Sequence, residues 1–122
     1  MLDRHALMRN KKNKLSGSVD LSKLPVEMTK LSLRRNMLTG SIDLTRLPEG
    51  FAELRLGWNT FSGEVSFERL PASMTFLQLA HTNLRGEITV SRRNWDNFQV
   101  FQTKITKHRE SEYSAVEGFF SD

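Results

Sequence analysis

The stretch LSLRRNMLTGSI, residues 31–42, recurs in altered form along this chain. Altered copies follow as residues 54–65 and 77–88, and a damaged copy precedes it around residues 13–17. Four glycines mark the copies at intervals of 23 residues: Gly17, Gly40, Gly63 and Gly86. A fixed period of this length indicates a repeat architecture in which each repeat forms one coil stacked on the next.

Apolar residues recur in phase with the glycines and predict a short strand in each coil. Leucines alternate with polar residues in the pairs Leu31/Leu33, Leu54/Leu56 and Leu77/Leu79. Alternation with a period of two is typical of a strand with one buried face. Three further apolar columns keep the same step: Leu15, Leu38, Phe61 and Leu84; Val19, Ile42, Val65 and Ile88; and Met28, Phe51 and Met74. We therefore expect the coils to place these strands in one parallel sheet over an apolar core.

An asparagine column follows the strand in each coil. Asn13, Asn36 and Asn59 keep the step, and Thr82 occupies the position where a fourth asparagine is expected. An asparagine side chain can bond the backbone groups that lose their partners where the chain leaves a strand. We expect the stacked asparagines to form a hydrogen-bonded ladder, and the glycine column to adopt a tight backbone or positive φ.

The second half of each coil predicts another short strand and a turn. An apolar-polar-apolar triplet follows each glycine, at residues 19–21, 42–44, 65–67 and 88–90. A Leu-Pro pair comes next in three coils, at Leu24-Pro25, Leu47-Pro48 and Leu70-Pro71. The Leu-Pro segment is too short for a full α-helix, and proline pre-sets φ for a single 3₁₀ turn.

The pattern Met28-x-x-Leu31-x-Leu33-x-x-Asn36-x-Leu38 resembles the leucine-rich repeat family, whose period is about 20–29 residues. The Gly-x-Ile placement is similar to the plant-receptor type, although Asp or Ser stands where that type has Pro. The resemblance covers residues 8–90. It implies an α/β-type leucine-rich-repeat solenoid that is strand-dominated: a right-handed superhelix with a parallel concave sheet, short second strands, 3₁₀ turns and little true helix.

The repeat pattern weakens at both ends and sets the expected domain boundaries. We predict a solenoid over residues 1–102 with about four coils, the first and last of them degenerate. In the last coil, Val100 is placed in the column of Leu77. Residues 103–122 are polar with charges of both signs, and we assign them to a C-terminal tail that either caps the solenoid or is disordered.

Composition leaves the class of partner open. The chain has 122 residues, 38% of them hydrophobic and 26% charged, which fits one ordinary soluble domain. Cysteine is absent, which removes disulfides and thiolate metal sites from consideration. The net charge of +4 favours acidic partners. No apolar run approaches the roughly 20 residues that cross a bilayer, and the N-terminus lacks the apolar segment of a secretory signal, so we expect an intracellular protein without a membrane span.

No pattern of catalytic residues emerges from the sequence. The chain has no glycine-rich phosphate loop, no Gly-x-Ser-x-Gly, no His-Glu-x-x-His and no cysteine nucleophile. The three histidines, His5, His81 and His108, are isolated from one another. We therefore expect a protein that is not an enzyme and that uses no cofactor and no metal.

Two aspartates are the strongest candidates for paired carboxylates. Asp20 and Asp43 lie one coil apart, which would bring them to about 5 Å in neighbouring strands. Ser66 and Thr89 interrupt the column in the next two coils. We therefore interpret both aspartates as solvated residues of the second strand.

The outward positions of the first strand and of the turn after it predict a binding surface. Parallel strands about 5 Å apart would make these positions one patch, basic toward the N-terminus and aromatic toward the C-terminus. Exposed Trp, Phe and Arg are the residue types that anchor protein interfaces. The predicted partner-binding residues are Lys30, Arg34, Arg35, Glu53, Arg55, Trp58, Phe76, Gln78 and His81.

Four interpretations of this patch stay open. The first is a protein-binding surface, whose basic part favours an acidic partner. The second is a solvated charged face with no partner. The third, weaker, is RNA or another polyanion bound by the basic part, since basic and aromatic residues together suit phosphate contacts and base stacking. The fourth is a stretch of a longer repeat scaffold with no binding of its own. The sequence leaves the oligomeric state open.

Overall fold

A computed structural model describes residues 7–9, by their backbone, and residues 14–110. The chain forms a parallel β-solenoid of about four stacked turns with almost no helix, as the repeat predicts. The first sheet has the order β1-β3-β5-β7-β9, with strands Leu7–Arg9, Lys30–Ser32, Glu53–Arg55, Phe76–Gln78 and Phe98–Gln99. The second sheet has the order β10-β8-β6-β4-β2, with strands Lys104–Arg109, Asn83–Val90, Thr60–Glu64, Met37–Gly40 and Ser16–Gly17. Two 3₁₀ helices, η1 and η2, cover Leu21–Lys23 and Trp95–Asn97.

The apolar columns form one core between the two sheets. Leu31 pairs with Leu54, Leu54 with Leu77, and Leu77 with Phe98 along the first sheet. The side chains of Leu54 and Leu77 are completely buried. So is Phe61, which comes from the second sheet. Burying a leucine or phenylalanine side chain stabilises a fold by about 1.5–3 kcal/mol, so the repeated columns supply the main driving force.

Asparagines connect neighbouring coils as predicted. Asn59 Oδ1 accepts a hydrogen bond of 2.9 Å from the Leu38 amide of the preceding coil. Its Nδ2 donates to the carbonyls of Leu33 and Leu56, each at 3.0 Å. Asn36 Nδ2 donates to the same Leu33 carbonyl, so the ladder passes through shared backbone groups. The prediction for Asn13 lies outside the described residues.

The predicted glycine and proline geometries are confirmed. Gly40 has a φ of 90° and Gly63 a φ of 98°, in the left-handed region that side chains disfavour. Each proline begins a turn closed by an i→i+3 hydrogen bond of 3.0 Å: from Met28 to Pro25, from Phe51 to Pro48 and from Met74 to Pro71. The two 3₁₀ helices lie outside these turns.

The second strands begin earlier in each coil than the sequence predicted. β4 and β6 end before Ile42 and Val65, so the triplet after the glycine is not strand in these coils. Asp43 explains the end of β4, because its carboxylate accepts a hydrogen bond of 2.8 Å from the Thr45 amide and turns the chain. Thr89 replaces that aspartate in the fourth coil, and β8 continues through it to Val90.

The last coil is two residues shorter than predicted. Phe98, not Val100, pairs with Leu77. The segment before it lacks Leu-Pro and takes a shorter path through η2 at Trp95–Asn97. The register of the fifth strand of the first sheet is therefore shifted by two residues from the 23-residue step.

The solenoid extends beyond residue 102. β10, Lys104–Arg109, pairs in parallel with β8 and buries Ile105, although the sequence pattern assigned this segment to the tail. Ile105 takes the core position of Leu84 once the two-residue shift is applied, which the fixed 23-residue step concealed. Residues 111–122 of the predicted tail lie outside the described residues.

Candidate functional site

The predicted partner-binding residues lie together on the outer side of the first sheet and on the corner that follows it. In the sheet, Lys30 pairs with Glu53 and Glu53 with Phe76, and Arg55 pairs with Gln78. Alternation places their side chains opposite the buried leucines. We call this surface the front face; it comprises Lys30, Arg34, Arg35, Glu53, Arg55, Trp58, Phe76, Gln78 and His81, together with Gln99 and Phe101.

Part of the front face is electrostatically satisfied within the chain. Lys30 Nζ lies 3.3 Å from Glu53 Oε2, and Arg55 Nη1 donates to Glu53 Oε1 at 3.1 Å. The Arg55 guanidinium also lies 4.2 Å from the centre of the Phe76 ring, in cation–π contact. Partial burial raises the pKa of Glu53, but the hydrogen bonds and charges of Arg55 and Lys30 outweigh it and hold that pKa below its ordinary value of 4.5.

Replacing Glu53 by glutamine is expected to weaken the dependence of stability on acid pH. A carboxylate whose pKa is lower in the folded than in the unfolded state contributes stability above its ordinary pKa and loses it as pH falls through the folded value. The wild type should therefore exceed Glu53→Gln in free energy of unfolding by at most about 1 kcal/mol near neutral pH. Urea unfolding from about pH 6 to about pH 3 should show that difference shrinking. Glu49→Gln, at an exposed residue with no ion pair among the described residues, is the control; a pH-independent difference for Glu53→Gln would contradict the assignment.

Gln78 is buried in the middle of the front face. Its side chain is 5% exposed, and its Nε2 donates to Gln99 Oε1 at 3.3 Å. Its Oε1 has no hydrogen-bond partner among the described residues. A Cβ on Gly57 would lie 3.0 Å from this oxygen and 2.7 Å from the Ala80 carbonyl. Glycine at position 57 therefore lets adjacent coils come into close contact beneath the front face.

Residues other than glycine occupy a left-handed backbone position at the corner of four consecutive coils. Arg35 has a φ of 63°, Trp58 of 55°, His81 of 57° and Gln102 of 56°. For residues other than glycine, this conformation costs about 1–2 kcal/mol each. The chain places an arginine, a tryptophan and a histidine where glycine would be unstrained.

The same corner side chains stack along the solenoid. The Arg35 guanidinium lies 4.9 Å from the centre of the Trp58 ring. The rings of Trp58 and His81 are stacked, with centres 4.6 Å apart and planes at 21°. Phe101 from the last coil meets His81 edge-on at 5.5 Å. We call this continuous series, Arg35, Trp58, His81 and Phe101, the corner row.

Two arginines of the front face have no ionic partner among the residues that the structure describes. Arg34 and Arg35 make no ion pair or side-chain hydrogen bond with any described residue, whereas Lys30 and Arg55 are both paired with Glu53. Both arginines come from the second coil, where one residue, Leu33, separates them from β3. The uncompensated positive charge of the front face is therefore concentrated beside the start of the corner row.

The sequence prediction missed two residues of the front face, Gln99 and Phe101. Gln99 bonds Gln78, and Phe101 packs on His81 and lies 6.1 Å from the Trp58 ring centre. Both are 21 residues after their equivalents in the preceding coil, because the last coil is short. The Thr-x-Ile pair at Thr103 and Ile105 is the signal for that shift, since it repeats Thr82 and Leu84 at the same interval.

The other candidate groups have structural roles. Asp20 accepts a hydrogen bond from the side chain of Ser22 and another from its amide, which lower the pKa of Asp20 and hold the turn at η1. Asp43 and Thr45 form the same turn one coil later. His108 lies 2.8 Å from Glu87 on the outside of the second sheet. His5 lies outside the described residues.

Residues 7–9 and 14–110 contain no helix long and apolar enough to cross a membrane. Within the same residues, no group of three or more His, Asp or Glu side chains is placed to hold a metal ion. Comparison of this chain with protein-family models, curated proteins and solved structures finds no match.

Proposed function

We propose that this chain is a non-enzymatic protein-interaction module of the leucine-rich-repeat kind, which binds a partner protein through the front face. The repeat pattern supports the family assignment, and the in-register parallel sheet supports the use of its outer side as a platform. Solenoids present extended surfaces of this type to their partners. The basic second coil favours a partner whose contact surface is acidic.

The corner row carries the proposal. A solvated face requires no particular residues, yet here arginine, tryptophan and histidine stack on one another at a turn position whose left-handed backbone, shared with Gln102, disfavours side chains. Strain of this kind is commonly retained at functional sites. Tryptophan and arginine are also the residues most enriched among energetic anchors of interfaces. Residues that strain the backbone and contribute no core packing are best accounted for by contacts to another molecule.

Simultaneous replacement of Arg34, Arg35 and Trp58 by alanine is expected to abolish partner binding while the chain stays folded. Loss of two cations and one aromatic anchor should reduce the partner recovered from extracts of the native source by about tenfold or more. The test is quantitative affinity capture with wild type and variant as baits, after circular dichroism has shown the same spectrum for both. The variant Arg46→Ala/Arg69→Ala is the charge-matched control, because both arginines are exposed and lie outside the front face.

The result separates the alternatives. A partner kept by the control variant and lost by the triple variant supports the front face. A partner retained equally by all three baits contradicts it. Absence of any partner on the wild-type bait favours a scaffold segment without binding of its own. Filter binding of polyuridylate across salt concentrations tests the polyanion alternative, because phosphate contacts give strongly salt-sensitive retention.

A further inference from the structure

We infer that the corner row, together with Arg34, recognises carboxylate groups spaced three residues apart on an extended acidic segment of the partner. This inference rests on the proposed function and specifies the chemistry of its ligand. It follows from three features of the front face: the ring surfaces that remain free, the location of unpaired positive charge, and the distance between the groups that can donate hydrogen bonds.

Both faces of the central ring are covered within the chain. Trp58 has Arg35 from the preceding coil on one side and His81 from the following coil on the other. Phe101 meets His81 at an interplanar angle of 90°. An incoming base therefore finds no free face of Trp58 on which to stack, and stacking is the contact that single-stranded nucleic acids use on aromatic side chains.

The ring edges remain available, and they favour anions. The edge of an aromatic ring carries the positive part of its quadrupole, and the indole N–H of Trp58 is a donor with no acceptor in the described part of the chain. The Trp58 side chain is partly exposed and makes no hydrogen bond to any described residue, and His81 is exposed. An extended segment lying along the row would meet a series of N–H donors that suit carboxylate oxygens.

The unpaired arginines give the row its charge complementarity. Arg34 and Arg35 lie at its N-terminal end, and the remaining cations of the front face are held by Glu53. A guanidinium can bind a carboxylate through two parallel hydrogen bonds. The strongest contact is therefore expected between one partner carboxylate and this arginine pair.

The spacing of the donors selects the spacing of the carboxylates. From Arg35 to His81 the row crosses two coil steps, which is about 10 Å at the usual distance between parallel strands. In a polyproline II segment, residues i and i+3 point to the same side and lie about 9.3 Å apart. Two carboxylates three residues apart on such a segment could therefore contact Arg35 and His81 at the same time.

The inference is tested with two fluorescein-labelled peptides of the same composition. One repeats Glu-Pro-Pro, so that glutamates recur every third residue; its isomer has all glutamates at one end followed by the prolines. Fluorescence anisotropy should show the spaced peptide binding the wild type about fivefold more tightly than the isomer, and more tightly than an oligouridylate of equal charge. Equal affinity of the two peptides, or tighter binding of the oligouridylate, overturns the inference.

The variant Arg35→Gly separates recognition from folding. Glycine is unstrained at a φ of 63°, so the melting temperature should stay close to that of wild type while affinity for the spaced peptide falls about tenfold. Arg46→Gly removes the same charge outside the front face and should leave peptide affinity unchanged. Wild-type affinity in Arg35→Gly overturns the inference. If affinity capture still depends on Arg34, Arg35 and Trp58, only the carboxylate mode is discarded; if capture is also independent of them, both proposals are discarded.

Discussion

Asn59→Ala is expected to destabilise the solenoid by about 3 kcal/mol, a large part of the stability of a small domain. The side chain accepts from the Leu38 amide at 2.9 Å and donates to the carbonyls of Leu33 and Leu56 at 3.0 Å. Asn59 is 8% exposed, so alanine leaves the Leu38 amide and the Leu56 carbonyl without a partner and out of reach of bulk water, whereas the Leu33 carbonyl keeps its bond from Asn36. A buried group left unsatisfied costs about 1–3 kcal/mol, and water entering the gap offsets part of the sum. Urea unfolding followed by circular dichroism measures the loss.

Asn59→Thr is the matched control, because the chain already uses threonine at this position in later coils. Thr82 Oγ1 donates to the Leu79 carbonyl at 2.9 Å and accepts from the Leu84 amide at 3.4 Å, both within its own coil. A threonine at 59 should therefore restore the bonds inside its coil and fail to reach Leu38. We expect its free energy of unfolding to lie between wild type and Asn59→Ala. Equal losses for alanine and threonine would show that the contact between coils supplies all of the stabilisation.

The repeat was sufficient to predict the core because burial acts on every coil in the same way. Leu31, Leu54 and Leu77 must each face inward if the coils are to stack, so their columns predict both the first sheet and its register. The second strand depended on a single polar group instead. Asp43 turns the chain and Thr89 does not, and the alternation of apolar and polar residues is the same in both triplets.

The front face could be predicted as a set of positions but not as a set of contacts. The columns identify which side chains project from the outer side of the sheet, since the alternation of side chains along each strand determines their direction. The pairing of Lys30 and Arg55 with Glu53, which leaves Arg34 and Arg35 unpaired, depends on distances that no column contains. Phe101 was missed for a related reason: the short path through η2 changed the register by two residues.

Gly86→Ala is expected to cost more stability than any other alanine substitution in the glycine column. Gly86 has a φ of 147°, and a Cβ there would lie 2.7 Å from the Val65 carbonyl oxygen. The obstructing atom belongs to the backbone of the neighbouring coil, so β6 and β8 would have to separate to admit it. The backbone strain and the separation of the strands should together lower the free energy of unfolding by more than about 3 kcal/mol, which thermal and urea unfolding will detect.

Two other glycines separate the backbone effect from the contact. Gly63 has a φ of 98°, and its nearest neighbour for an added Cβ is a side-chain atom at 3.9 Å, so Gly63→Ala should cost only the strain of about 1–2 kcal/mol. Gly50 has neither a positive φ nor an atom within 4 Å, and Gly50→Ala should be neutral or slightly stabilising, because alanine reduces the entropy of the unfolded chain. The expected order of destabilisation is therefore Gly86, then Gly63, then Gly50. If Gly86→Ala lost no more stability than Gly63→Ala, the coils would not be in close contact at Val65. Positive φ alone would then account for the glycine column.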